Sequence, residues 1–472
     1  MTRFIALSNL RLSASVVAAR ATAVGIRRLG RGGGTSAPGL IAARIDPAML
    51  TKLTSRLPQG SIVIAGTNGK TTTSRMVADV LAANGYRVVH NRSGSNLVRG
   101  VASAFAVQAT LTGDPGGDVA VIESDEAAFP EIVQLVRPRI IVLNNLFRDQ
   151  LDRYGELDTI ARKWKGSLAT LGAETTIVFN ADDPGLTAIT RGLPAKTVAF
   201  GLNERTHTLA ALPHAADAAT CFACGADLSY SRLYLSHLGD WHCSSCGVER
   251  PHLDVTGCEV ELDGVESLSM TIDRGGESDR YSIGVPGLYN AYNTLAAVAT
   301  TRHVGVPQAT VHTALVNFRS AFGRIERVMY RGRKLTLALV KNPVGFNEVL
   351  RMLTAENGTL TVPTLIAIND LHADGRDVSW LWDVDFELLA TGSGMLGATG
   401  LRGADMANRL KYAGVAESRM FTLPPDLAAG LDAFVDQLTE GEQGYVLPTY
   451  TAMLEIRKTM ADRGAVETFW QQ

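Results

Sequence analysis

The sequence predicts an α/β protein: a phosphate-binding strand–loop–helix, with a second α/β unit behind it. Three observations carry this. A β-branched run feeds a glycine-rich turn at residues 61–72. Strand-length apolar runs alternate with helical patterns towards the end of the chain, and two cysteine pairs sit in the middle. The 472 residues suggest about three domains at roughly 150 residues each. With 46% apolar and 19% charged residues the chain can bury a full core, which excludes disorder, collagen and a coiled-coil rod. Lys plus Arg is 45 and Asp plus Glu is 47, a net charge of −2, so nothing in the balance argues for nucleic acid as a partner. Five cysteines cannot form a disulfide framework, and four in two tight pairs read as metal binding in a reducing cytoplasm.

Residues 1–34 carry Arg3, Arg11, Arg20, Arg27, Arg28 and Arg31, and the first acid is Asp46. Apolar Ile5, Leu12, Val16, Ala19 and Ala23 fall at helical spacing. Such a basic helix suits an anionic membrane surface, a targeting peptide, or packing on the body of the protein. Gly30 and Gly32–Gly34 follow as a flexible joint. No uninterrupted apolar run approaches the ~18 residues of a spanning helix. The expected location is the cytoplasm, with peripheral contact at the inner face of the membrane as one option.

Ser61–Ala65 is a short strand pattern, and Gly66-Thr-Asn-Gly-Lys-Thr-Thr72 follows directly. A helical pattern (Met76, Val77, Val80, Leu81) then runs to Asn84-Gly85. Strand, glycine turn and helix wrap backbone N–H groups around a polyphosphate, and glycines are needed because side chains would block the approach. Lys70 supplies a charge to the β/γ-phosphates, and the Thr71 hydroxyl suits Mg²⁺. ATP is the expected nucleotide. Asp118–Ile122 is a second strand ending in Glu123-Ser-Asp-Glu126, and a carboxylate at that edge is where a further metal ligand belongs. Arg139–Asn144 and Thr176–Asn180 read as the next strands, and Gly287-Leu-Tyr-Asn-Ala-Tyr-Asn293 opens a helix.

Cys221-Phe-Ala-Cys224 and Cys243-Ser-Ser-Cys246 are 18 residues apart, with Gly225 and Gly247 just after each pair. Two such knuckles place four thiolates for tetrahedral Zn²⁺, and a closed Cys₄ site has no open position, so its role is structural. His242 is a competing ligand, but the symmetry of the pairs favours Cys243. Cys258 is left over as a small apolar residue. The insertion lacks a dense basic and aromatic surface and reads as scaffold.

Lys334–Val340, Leu365–Ile368, Met395–Thr399 and Tyr445–Leu447 read as strands alternating with helices such as Gly403–Tyr412 and Thr451–Arg463. Between the second strand and the next helix, Asn369–Asp383 concentrates acids, Arg376 and two tryptophans just after a strand, where ligands or partners are met. Trp380 and Trp382 read as core or interface anchors.

The Gly66-Thr-Asn-Gly69-Lys70-Thr71 form resembles the Mur ligase and folylpolyglutamate synthetase superfamily. Asp149-Gln-Leu-Asp-Arg-Tyr-Gly155 and Phe322-Gly-Arg324-Ile-Glu326 resemble further superfamily segments. Adding the cysteine insertion and Asp374-Gly-Arg-Asp377-Val-Ser-Trp-Leu-Trp-Asp383, the chain resembles the MurT family of Mur-ligase-like synthetase subunits over nearly its whole length. That resemblance implies a Mur-ligase-type P-loop central domain at 56–315 with a zinc ribbon inserted at 219–252, after a basic helical segment at 1–55. A Rossmann-like, partner-binding α/β domain would occupy 316–472. It implies ATP bound by Gly66, Thr67, Asn68, Gly69, Lys70, Thr71 and Thr72, with Asn180 and Asn293 near base or ribose and Arg324 near the phosphates. Mg²⁺ would sit on Thr71 and Glu123, and Zn²⁺ on Cys221, Cys224, Cys243 and Cys246. At the position where the superfamily often carries a carbamylated lysine stands Trp164, flanked by Lys163 and Lys165. His90-Asn-Arg-Ser-Gly94 and Lys341-Asn-Pro343 also match, the former facing the substrate.

The implied activity is ATP-dependent amidation of the D-isoglutamate α-carboxylate in lipid II through an acyl phosphate. Ammonia would come from a separate glutaminase of the GatD type, whose Cys-His pair Asp377 would complete. Lys70, Glu123 and Asp377 are therefore the expected catalytic residues. Two other readings share the ATP site: an amino-acid-adding ligase of the same superfamily, and a nucleotide-regulated binding protein with a zinc module.

Overall fold

Strands β1 (Ser61–Ala65), β2 (Val88–His90), β3 (Val119–Glu123), β4 (Ile140–Leu143), β5 (Thr176–Asn180) and β6 (Lys196–Leu202) make the parallel part of the larger sheet. The computed structural model describes residues 2–28, 36–91, 95–148, 157–213, 216–319, 325–354 and 358–466. A hairpin, β7 (Ser229–Leu235) and β8 (Leu238–His242), separates β6 from β9 (Val255–Asp263), β10 (Ser267–Arg274) and β11 (Glu277–Ile283). The sheet order is β11-β10-β9-β6-β5-β4-β1-β3-β2. β9 pairs parallel with β6, and β10 and β11 extend it antiparallel.

All residues of β1, β3, β4 and β5 are buried, as expected of parallel strands covered on both faces. β1 lies between β3 and β4, so chain entering from one side and leaving from the other opens a crevice at its carboxyl end. The glycine loop leaves there. Helices Lys70–Ala83 and Leu288–Val304 pack together on one face, with Met76, Val77, Val80, Leu295 and Ala296 in one core.

The other face is covered by helices that include Val98–Gln108, Phe129–Val136 and Leu157–Leu168. The first helix, Thr2–Arg28, joins this layer: Leu12, Val16 and Ala19 sit in the same core as Ala42, Leu50 and Val101. Its Arg20 donates to the carbonyl oxygens of Val107 (3.3 Å) and Ala109 (2.5 Å), satisfying acceptors at the C-terminal end of helix Val98–Gln108. Of the three readings of this helix, packing on the body is therefore realised for its described side chains.

The second sheet has the order β12-β13-β17-β14-β15-β16. Its strands are β12 (Glu326–Tyr330), β13 (Arg333–Leu337), β14 (Thr364–Ala367), β15 (Leu396–Thr399), β16 (Met420–Thr422) and β17 (Gln443–Pro448). All pairings are parallel except β12 with β13. Helices Pro343–Thr354 and Gly403–Tyr412 contribute to one core, and Leu427–Val435 and Tyr450–Asp462 to another. No described helix is long and apolar enough to cross a membrane.

Candidate active site

The loop after β1 is held open by its neighbours rather than by its own side chains. Gly66 (φ +148°) faces Asn144 and Asn145, and a Cβ there would lie 2.9 Å from the Asn144 side chain. Gly69 (φ +81°) is tighter still, since its Cβ would lie 2.0 Å from Asn293 Oδ1. The strand-exit segment after β4 grips the loop from the other side. Thr67 N–H donates to Asn145 O (3.1 Å), Asn68 N–H to Asn145 Oδ1 (2.8 Å), and Asn145 Nδ2 to Asn68 O (3.1 Å). Thr67 Oγ1 also exchanges hydrogen bonds with the Phe147 backbone, both 3.0 Å. The amides at the start of helix Lys70–Ala83 are thus fixed as an anion cradle.

Lys70 is buried, its ammonium 2.8 Å from Glu126 Oε1 and hydrogen-bonded to the carbonyls of Gly66 (2.6 Å) and Thr67 (3.0 Å). Thr71 Oγ1 donates to Glu123 Oε1 at 3.1 Å, so the hydroxyl and carboxylate expected for Mg²⁺ are adjacent. The hard oxygen donors suit that ion. Register explains the meeting: Glu123 pairs with Ile64 across β3 and β1, at the carboxyl edge where the loop begins. Asn91 fixes Glu123 from the far side, donating to its carbonyl (2.9 Å) and accepting from its N–H (2.9 Å).

Asn293 accepts from Thr73 Oγ1 (3.2 Å) and donates to Asn290 Oδ1 (2.9 Å). It lines a cavity of about 770 Å³, its solvent-open part included, together with Asn68, Gly69 and Thr72. The opposite wall is the second sheet's unit, through Lys341, Asn342, Val344 and Glu348. Asn342 Nδ2 reaches Asn68 Oδ1 at 3.0 Å, bridging the two units at the mouth of the loop.

Asn180 differs from expectation. It is fully buried, donating to Asn144 O (3.0 Å) and accepting from Asp182 N–H (3.1 Å), and it is absent from the cavity lining. It ties the ends of β4 and β5 together. Trp164 fills the position of the superfamily lysine as a core residue, its indole donating to Glu126 O (2.9 Å) and packing on Phe129. Lys163 and Lys165 point outwards. Arg324, the Asp149–Gly155 segment and residues 92–94 lie outside the described residues.

The four paired cysteines come together with all ligand atoms within 4.8 Å of one another, the Cys221–Cys246 and Cys224–Cys243 sulfurs being 3.6 and 3.5 Å apart. Sulfurs on a tetrahedral ion at ~2.3 Å would be about 3.8 Å apart, so the set fits Zn²⁺. Gly225 and Gly247 turn each knuckle back at positive φ. Backbone N–H groups of Cys246 and Ser245 lower the Cys243 thiol to about 7. His242 lies outside the cluster, and Cys258 is half-buried on β9.

Asp377 lies away from this cleft, on the exposed loop after β14. The loop is braced by buried Asp374, which accepts from the Thr451 N–H (2.8 Å) and hydroxyl. Asp377 accepts from Ser379 N–H at 2.8 Å, and hydrogen bonds from Ser379 hold its carboxyl below the usual range. Trp380 packs towards Phe346, whereas Trp382 is exposed against Tyr412 and Arg409.

A Mur ligase middle domain model matches residues 64–220, and a MurT ligase C-terminal model matches residues 339–453. The MurT subunit of lipid II isoglutaminyl synthase (glutamine-hydrolyzing) from Streptococcus pneumoniae is 32% identical over 460 residues, 97% of this chain and 99% of its own. The chain belongs to the MurT family. The Staphylococcus aureus MurT subunit is also 32% identical, over 81% of this chain and 84% of its own. Among solved structures, a pseudomurein peptide ligase type C from Methanothermus fervidus superposes with a TM-score of 0.65 at 18% identity, covering 88% of this chain and 80% of that one. MurF ligase from Thermotoga maritima in complex with ADP gives 0.61 at 12%, covering 89% and 85%. The fold is that of the Mur ligases, and as a MurT family member the chain is a Mur-ligase-like ATP-dependent ligase.

Proposed function

We propose that this chain is the synthetase subunit of a lipid II isoglutaminyl synthase, amidating the α-carboxylate of D-isoglutamate in the peptidoglycan stem to D-isoglutamine. The observation that carries the reading is the cradle of Gly66–Thr72 beside the Thr71–Glu123 pair, opening on a cavity shared by both units. The names of the S. pneumoniae and S. aureus relatives support the substrate.

A carboxylate is a poor electrophile. In the proposed reaction its oxygen attacks the γ-phosphorus of ATP and ADP leaves, giving an acyl phosphate. Ammonia then attacks the acyl carbon and phosphate departs. The chain's part is to position the reactants and neutralise charge. Backbone amides of the loop hold the phosphates, Lys70 supplies the cation, and Glu126 keeps that ammonium in place. Thr71 and Glu123 would hold Mg²⁺, which disperses charge on the transferring group.

Ammonia is supplied by a GatD-type glutaminase docked on the second unit, where exposed Asp377 orients the partner's catalytic histidine. Exposed Leu371, Leu401 and Tyr450 support that surface: Asn369 and Asp374 hydrogen-bond the loops that carry them. The use of ATP, and a four-cysteine cluster suited to a reducing compartment, support a cytoplasmic protein.

Ammonium or an amino acid, each supplied with ATP and a lipid II acceptor, separates amidation from amino-acid addition. ADP release and an acceptor mass decrease of about 1 Da with ammonium are expected. Turnover with the amino acid alone would overturn the amidation reading.

A further inference from the structure

The hairpin between the two cysteine pairs forms its own two-stranded sheet in the connection from β6 to β9. Its tip, Leu235-Ser236-His237-Leu238, reaches the cavity beside Asn68 and Asn293, and Leu235 and Leu238 form part of the lining. The cysteine end lies one strand away, about 16 Å along β8.

The tip is held by contacts on every side. His237 is fully buried, with Nε2 3.6 Å from Asp183 Oδ2 and its ring against Phe147, another lining residue. Gly239 N–H donates to Asp182 O (3.0 Å), and the Trp241 indole to Ala181 O (3.1 Å). Asp182 sits fully buried between Arg250 (2.8 Å) and the Tyr292 hydroxyl (2.8 Å), and Tyr292 also lines the cavity. From the second unit, Arg351 donates to Tyr234 O at 2.9 Å and pairs with cavity-lining Glu348 at 2.7 Å. One short strand pair therefore touches the central sheet, the second unit and the cavity between them.

Asn68, Gly69 and Thr72 bring the phosphate cradle to the cavity wall. Leu235, Leu238, Leu339, Val344 and Val349 line the same cavity, alongside Lys341 and Glu348, and these five apolar side chains suit packing on a nucleoside. We propose that the hairpin tip is a working wall of the nucleotide site: Leu235 and Leu238 pack on the nucleoside, and Arg351, a positioning residue, latches the second unit to that wall. The proposal rests on the reading of this cleft as the nucleotide site. It gives the insertion that carries the four cysteines a part in ligand binding as well as in scaffolding.

Calorimetric titration of the full chain with ADP and, separately, with inorganic tripolyphosphate tests this. Leu238→Ala and Leu235→Ala should each weaken ADP roughly ten-fold, from the loss of buried methylene contacts. Tripolyphosphate affinity should stay within about two-fold, because the cradle is untouched. Arg351→Met should weaken ADP in the same selective way, and Arg351→Lys should restore part of the loss. A cooperative thermal transition identifies folded variants, and Leu238→Val serves if Leu238→Ala fails to fold. The proposal is overturned if a folded Leu238 variant binds ADP as the wild type does, or if ADP and tripolyphosphate weaken together. A wild-type chain that binds tripolyphosphate and ADP equally also overturns it. A wild-type chain that binds neither removes the nucleotide reading itself, a result distinct from the others.

Discussion

Asp377 separates the two halves of the proposed chemistry at a single carboxylate. Hydrogen bonds from Ser379 lower its pKa, so it stays ionised through the neutral range and loses its charge only at acid pH below the ordinary carboxylate value. Asp377→Asn should cut glutamine-driven amidation at least 100-fold, on the scale of wrong-tautomer triad variants. Amidation from added ammonium should be unchanged, because only the nitrogen source is disabled. Equal loss from both sources would place Asp377 in the fold instead. The loop residues Gly66–Thr72 were legible because their meaning is local: strand, glycines, lysine and hydroxyl stand next to one another. Glu126 and Asn145 carry no role in the sequence reading, and Asn91 is read only within a substrate-facing segment, because all three reach the loop or its carboxylate partner only through the order β4-β1-β3-β2. Asn180 shows the converse. An asparagine at a strand end looks the same in sequence whether its amide meets a ligand or, as here, the neighbouring strand.

Among the elements, helix Thr2–Arg28 shows how a one-sided stripe decides placement. Val16 is fully buried while its neighbour Val17 is 51% exposed. Val16→Asp should destabilise the protein by about 3 kcal/mol, since it buries a carboxylate with no partner. Val17→Asp should stay within about 0.5 kcal/mol. Chemical denaturation of both variants measures the difference, and equal effects would contradict the packing. The cysteine insertion was recognised from its spacing, but spacing says nothing about where a hairpin tip points. The β10 alternation of Leu268, Met270 and Ile272 is a period-two signal that marks a strand with one buried face. Its place in the antiparallel extension of a mixed sheet, between β9 and β11, depends on the β6–β9 pairing, which local pattern does not encode.

At the scale of the whole molecule, two α/β units meet over one cleft, and the surface proposed for nitrogen delivery lies on the second. Leu401 is 59% exposed, and its N–H is held by Asn369 at 3.1 Å at the carboxyl edge of the second sheet. Leu401→Glu should reduce co-purification with the glutaminase by at least ten-fold, as expected for a charge placed in an apolar contact. Ammonium-dependent ADP release should persist. Loss of both would mean that the surface serves the synthetase site. The alternation of strands and helices revealed both units; the cavity between them depends on Asn68 meeting Asn342, residues 274 positions apart. The most direct test of carboxylate activation replaces ammonia with hydroxylamine in the presence of ATP and the lipid II acceptor. An acceptor hydroxamate formed in step with ADP is expected, and neither product from Lys70→Ala. ADP released without hydroxamate, or hydroxamate formed undiminished by Lys70→Ala, would contradict it.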